Sequence, residues 1–278
     1  MMGSSKMLQR LQAFVKIALA ETEHDISQGF QCAAEAFGRQ TGDAIWIGMN
    51  PGWDTAEGSA AGAARMVDRW KSVTRDRSGN LNTMFVKATL PVDEANPSND
   101  DNGNGNDNGD GNQKVVGMAI WAQMSSRPGH GESPPDQDQL LADAAAIYPD
   151  NPSEQRYMAQ VIGLMQKQRI EAVKAKAETD QPAAMVLDLC IVNPAYQGRG
   201  IARQMVQWGL DEAKRRSSSH GGLGRPMEAL LEASTMGRRV YAKMGFVQEG
   251  PEIDYAVDDE FRSRSVQLPS NIFMRRQG

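Results

Sequence analysis

A chain of 278 residues, 40% hydrophobic and 23% charged, is long enough to bury a sizeable core and has the composition of a globular protein. It holds no run of about 18 apolar residues that would span a membrane as a helix, and no apolar leader with a secretory cleavage site. The net charge of −5, with a pI near 5.4, excludes a general nucleic-acid binder, which needs a basic stripe, and leans slightly towards a cationic substrate.

In chain order, residues 12–19 pattern as a strand. Asp25 is placed to N-cap a helix carrying Phe30, Ala33, Ala34 and Phe37 at helical spacing. Gly42 and Asn50-Pro51-Gly52 mark loops, and residues 59–75 pattern as a helix with Met66, Val67 and Trp70 on one face. Strands are expected at 84–90 and 114–124. The segment 96–112 between them is almost wholly Asn, Asp and Gly, with nothing to bury after Pro97, so a disordered insertion over 94–113 within a hairpin is expected. Asp100, Asn102, Asn104 and Gly105 match the opening of a calcium-binding EF-hand loop. Gly111 stands where that loop requires a bidentate Glu, and the flanking elements read as strands, so a solvated loop is expected.

A Pro/Gly-rich loop follows at 127–135, then helices at 136–147 and 153–177, with Met158, Ile162, Met165 and Ile170 facing a core or lid. The last hundred residues read as a strand at 184–192, a helix at 200–217, a Ser/Gly-rich loop at 217–225 and a strand at 227–233. A helix at 235–244 and strands near 247–256 and 265–275 complete the chain. There is no internal repeat and no domain boundary, so one domain over 8–278 is expected. Cys32 and Cys190 are too few for a disulfide framework and fit a reducing compartment, read as the cytoplasm with the nucleus also compatible. The scattered His24, His130 and His220 read as surface or loop residues, and no metal is expected.

The chemistry concentrates in residues 187–246. From Leu187 to Ala202 a hydrophobic strand runs through a glycine-rich turn straight into a helix whose apolar face holds Ile201, Met205 and Trp208. A helix N-terminus offers unpaired N–H groups and partial positive charge, and small residues at 198, 200 and 202 let a phosphate approach the backbone. Arg199 and Arg203 add charge, so the segment predicts a pyrophosphate site. Gly198-Arg199-Gly200 completes no G-x-G-x-x-G fingerprint, and no Lys-Ser/Thr pair makes a Walker A loop.

The run Val192-x-Pro194-x-x-Gln197-x-x-Gly200-x-Ala202 resembles the acetyl-CoA motif (Q/R)-x-x-G-x-(G/A) of the GCN5-related N-acetyltransferase (GNAT) superfamily. Residues 231–246, a strand and a helix ending in Tyr241-Ala-Lys243-Met-Gly245-Phe246, resemble its second cofactor region, and Gly117–Trp121 an earlier strand. The likeness holds by element order over roughly 13–275 and by motif over 187–246. The helical insert at 136–177 gives the impression of fungal members. The resemblance implies an α/β fold, a mixed central sheet flanked by helices, in which a splayed pair of parallel strands binds acetyl-CoA.

On these positions the resemblance implies pantetheine pairing with backbone groups of Cys190, Ile191 and Val192. The Val192 N–H would stabilise the oxyanion, and Gln197, Gly198, Arg199, Gly200, Ile201, Ala202 and Arg203 would hold the pyrophosphate. Tyr241 takes the general-acid position, or packs its ring and bonds the cofactor. Asp188 and Glu232, on strands flanking the cleft, are candidate bases; alternation could instead turn either to solvent or pair it with an arginine. Ser234 joins the cofactor set and is placed to cap the following helix. Cys190 reads as a small buried thiol. The expected activity is acetyl transfer to a primary amine of a small molecule by direct attack on the thioester. A protein or peptide acetyltransferase and a non-catalytic acyl-CoA sensor are the alternatives. No nucleic-acid or membrane partner is expected, and the oligomeric state is not read from the chain.

Overall fold

The computed structural model describes residues 15–92, 113–219, 225–264 and 266–278. The Asn/Asp/Gly-rich segment, its calcium-loop likeness, His220, most of the Ser/Gly-rich loop and residues 12–14 of the first expected strand lie outside them.

The elements are β1 (Lys16–Leu19), α1 (Glu23–Ala33), a π-helical continuation (Ala34–Thr41), α2 (Ala44–Met49), α3 (Ala56–Lys71), β2 (Thr83–Pro91), β3 (Gln113–Met124), α4 (Gln137–Ile147), α5 (Pro152–Ala175), β4 (Ala184–Val192), α6 (Ile201–Ser219), β5 (Ala229–Ser234), α7 (Arg238–Ala242), β6 (Val247–Glu252) and β7 (Asn271–Arg276). The strands form one sheet in the order β1-β2-β3-β4-β5-β7-β6, in which β4–β5 is parallel and the other pairs are antiparallel. This is the mixed sheet flanked by helices that the resemblance implies.

Local chemistry shifts several expected boundaries. Thr22, not Asp25, is the N-cap of α1; Asp25 stands three residues on and closes a capping box, accepting from the Thr22 N–H at 3.0 Å. Asp25 also pairs with the part-buried Lys87 at 2.8 Å, so its side chain serves tertiary packing as well. The second block's helix is only Arg238–Ala242, because the Gly237 N–H donates back to the Ser234 carbonyl at 2.9 Å and hydroxyl at 3.4 Å, closing a turn where a longer helix was expected.

Helices cover both faces of the sheet. On one face α1, α2 and α3 bury Ile26, Phe30, Ala33, Trp46 and Val67 against Phe85, Met118, Ile120 and Ile191. The α5 residues Ala172 and Val173 continue that layer over Ala184, Val186, Leu230 and Phe273. On the other face α6 lays Ile201, Met205, Val206 and Leu210 over Trp121, Met185, Leu187 and Leu231. Gly209 lies where α6 crosses the Trp121 indole, and a Cβ there would fall inside that ring. Gly209→Ala is therefore expected to destabilise the protein by about 1–3 kcal/mol through overpacking, although alanine is the better helix former. Thermal unfolding checks this; an unchanged or raised Tm would place α6 farther from β3.

Candidate active site

Strands β4 and β5 pair only through Met185↔Ala229, Val186↔Leu230 and Leu187↔Leu231. Beyond that point β4 stays with β3 out to Val192↔Gly117, while β5 stays with β7 out to Ser234↔Asn271. The two strands part, and a gap opens between them.

The parting coincides with a register shift between β3 and β4 that steps from Leu187↔Trp121 to Leu189↔Ile120 and leaves Asp188 as the extra residue. A one-residue bulge reverses the phase of everything after it. Met185 and Leu187 belong to the α6-facing core, and after the bulge that face is taken by Cys190 and Val192. The backbone phase reverses too. The Met185 N–H donates to Glu228 at 2.8 Å, towards β5, and the Asn193 N–H donates to Val116 at 2.9 Å, towards β3. Alternation from Asn193 turns Ile191 to β3 and leaves Cys190 and Val192 facing the gap. By the same alternation the Ile191 backbone turns to β3, and its side chain packs against α1.

The glycine turn follows. Gln197 donates from Nε2 to the Val192 carbonyl at 3.0 Å and exchanges amide bonds with Gln40 at 2.8 and 2.9 Å, joining the turn to the π-helix. Gly198 and Gly200 have φ of +75° and +78°, the left-handed region where side chains are strained. The Gln204 N–H reaches the Gly200 carbonyl at 3.2 Å, so the N–H groups of Ile201, Ala202 and Arg203 stand in the first turn of α6, where helices leave donors unpaired. Ile201 buries its side chain in the core, Arg199 stacks 5.2 Å over Tyr196, and Arg203 is exposed.

Tyr241 is 9% exposed, packs edge-on to Phe246 at 6.0 Å, and is seated by Gly237, where a Cβ would fall 2.5 Å from its ring. Its hydroxyl lies close enough to the Cys190 thiol for each to influence the other's ionisation, which places Tyr241 beside β4. Burial, reinforced by Cys190, pushes the tyrosine well above its ordinary 10.0, and burial raises the thiol to about 12.

Asp188 and Glu232 are the first residues beyond the last β4–β5 pair, and each is paired with arginine. Asp188 Oδ1 accepts from Arg169 at 2.7 Å and Oδ2 from Arg69 at 2.8 Å. Glu232 Oε1 accepts from Arg169 Nε at 3.0 Å, and its other oxygen meets Arg169 Nη2. Burial opposes ionisation of Asp188, but the two guanidinium groups hold it far below the usual carboxylate range. Burial raises Glu232 against the pull of Arg169. Both oxygens of each candidate base are thus occupied.

A further carboxylate, which sequence reasoning passed over, keeps one oxygen unbonded. Asp43 N-caps α2, with Oδ1 accepting from Ile45 at 3.1 Å and Trp46 at 3.0 Å. No described residue bonds its Oδ2. Burial raises it above the ordinary 3.8 despite the two N–H bonds. It acts electrostatically on Tyr255, whose hydroxyl accepts from Asn271 at 3.0 Å beside the end of β5. Burial, with Asp43 and Glu232 adding to it, pushes Tyr255 up to about 12. A Gly-Asp pair ahead of a short apolar helix was the available signal. Among the described residues no group of His, Cys, Asp and Glu is gathered to hold a metal ion.

Residues 157–248, from α5 into β6, match the family model for the acetyltransferase (GNAT) domain. Over that segment, about a third of the chain, the protein is similar to a GNAT acetyltransferase domain. The fold is similar to that of a mosquito arylalkylamine N-acetyltransferase like 5b, at 12% identity over 95% of this chain and 100% of that chain, with a TM-score of 0.55. It is also similar to a Drosophila melanogaster polyamine N-acetyltransferase that forms N-acetylagmatine (9%, 95% and 100%, 0.51) and to arylalkylamine N-acetyltransferase 2 from Aedes aegypti (12%, 95% and 98%, 0.51). At these identities the likeness is one of fold. No curated protein matches the chain.

Proposed function

We propose that the protein transfers an acetyl group from acetyl-CoA to the primary amine of a small molecule. The observation that carries this reading is the gap beyond Leu187↔Leu231, with Cys190 and Val192 backbone groups turned into it. The parted strands fit a pantetheine arm, which has amides of its own to pair. The left-handed glycines and first turn of α6 fit a pyrophosphate. Ser234, at the end of β5, lines the far side. Acetyl-CoA supplies the thioester; the chain's residues bind, polarise and move protons.

The Val192 N–H is the donor for charge developing on the thioester oxygen. Asp43, with one free oxygen and a raised pKa, takes the proton that the incoming ammonium must lose. Tyr241 donates its hydroxyl proton to the departing sulfur and is reprotonated by the second proton that the acylated nitrogen gives up. Asp188 and Glu232 are held in place by Arg169, and Asp188 stays charged. Small amines are favoured over peptides by the acceptors named for the fold relatives, arylalkylamines and polyamines.

Thiol release from acetyl-CoA across a panel of aryl and aliphatic amines tests the reading. Asp43 must be ionised to act, and its pKa is raised, so the acid limb of kcat/KM should lie above the ordinary aspartate range and vanish in Asp43→Asn, together with about 10²-fold of the rate. Transfer to peptides alone, or coenzyme binding without turnover, would replace this function with a peptide acetyltransferase or a sensor. An Asp43→Asn profile equal to wild type would remove Asp43 from the mechanism.

A further inference from the structure

The long α5 helix carries a buried stripe, and one member of it is charged. Met158, Val161, Arg169, Ala172 and Val173 are all buried along it, and the Arg169 side chain is 4% exposed. A buried cation is costly unless fully paired, and Arg169 is: Nε and Nη2 go to Glu232, and Nη1 goes to Asp188. Those carboxylates sit at equivalent places, one residue past the last pair, Leu187↔Leu231, on the two strands that part. Where the backbone pairing ends, a single planar guanidinium spans from one strand to the other.

We infer that Arg169 is the positioning residue that sets the opening between β4 and β5. The fixed fork of the guanidinium fixes the separation of the two carboxylates, and each carboxylate is built into its strand. Facing carboxylates without that cation would repel or take up a proton, and the strands would lose their spacing. Arg69, half exposed on α3, bonds only the Asp188 end and cannot replace the bridge. The consequence for the cofactor rests on reading the gap as its slot; the spacing itself does not.

Two cysteines make this measurable without turnover. Cys190 borders the gap on β4 and is partly exposed, and Cys32 is buried in α1 away from it. In Cys32→Ser protein, Arg169→Lys keeps the charge but loses the fork, and should speed iodoacetamide labelling of Cys190 about tenfold; in Cys190→Ser protein the same change should leave Cys32 labelling unaltered. Coenzyme A affinity by calorimetry should weaken by about tenfold. Glu232→Gln, which frees one end while retaining Arg169, should act in the same direction and covers the case that Arg169→Lys fails to fold. Equal acceleration at both cysteines would mean general loosening and overturn the inference, as would labelling or coenzyme affinity within about twofold of wild type. A wild-type protein that binds no coenzyme A would sink the proposed function, while the labelling ratio would still decide the spacing.

Discussion

Tyr241→Phe is expected to lower kcat by about 10²-fold while acetyl-CoA affinity stays within a factor of about two. The substitution removes one oxygen and keeps the ring, so the edge-on contact with Phe246 and the seat over Gly237 persist. The hydroxyl that is lost lies near the Cys190 sulfur, beside the gap that a departing coenzyme thiolate would enter. Burial pushes Tyr241 well above 10.0, so its proton is in place throughout the neutral range. Tyr241 should accordingly add no basic limb to the kcat profile in that range. Turnover at saturating acetyl-CoA, with binding measured separately, checks both halves. An unchanged kcat would mean that the sulfur is protonated from solvent or that its departure does not limit the rate.

The sequence showed the cofactor side more clearly than the acceptor side, and the reason is physical. On the proposed function, Gln197 to Ala202 place backbone N–H groups around an anion, which restricts residue types over a short span and leaves a readable pattern. The order of elements along the chain and most of their boundaries followed from alternation and helical spacing, whereas the order of strands in the sheet did not. The bulge at Asp188 did not, since Leu187-Asp188-Leu189 alternates well on its own; only pairing with β3 reveals that phase reverses there. That reversal decides that Val192 and Cys190, and not Ile191, face the gap. Arg169 was hidden for a different reason. Its partners lie 19 and 63 residues away, and a lone arginine in a Met/Ile-rich stripe carries no local mark. Asp43 was overlooked because its cap role is visible locally, whereas the electrostatic link to Tyr255 joins segments far apart in sequence. Residues that act through neighbours distant in the chain leave little periodicity to read.

Gly200→Glu is expected to reduce acetyl-CoA affinity at least 100-fold, and a companion substitution shows why. Gly200 has φ of +78°, so any side chain there meets backbone strain of about 1–2 kcal/mol. Gly200→Ala carries that strain alone and should keep affinity within about tenfold of wild type. Glutamate adds a carboxylate at the first turn of α6, which the helix dipole favours and which offsets part of the strain. The two variants should therefore melt at similar temperatures while differing sharply in binding, because the glutamate oxygens occupy the N–H groups of Ile201, Ala202 and Arg203 and repel the pyrophosphate. Calorimetry and thermal unfolding on both variants separate the effects. Loss of binding in both would assign it to a distorted turn. Retained binding in Gly200→Glu would remove the phosphate from the head of α6 and leave the parted strands to hold the coenzyme by its pantetheine arm.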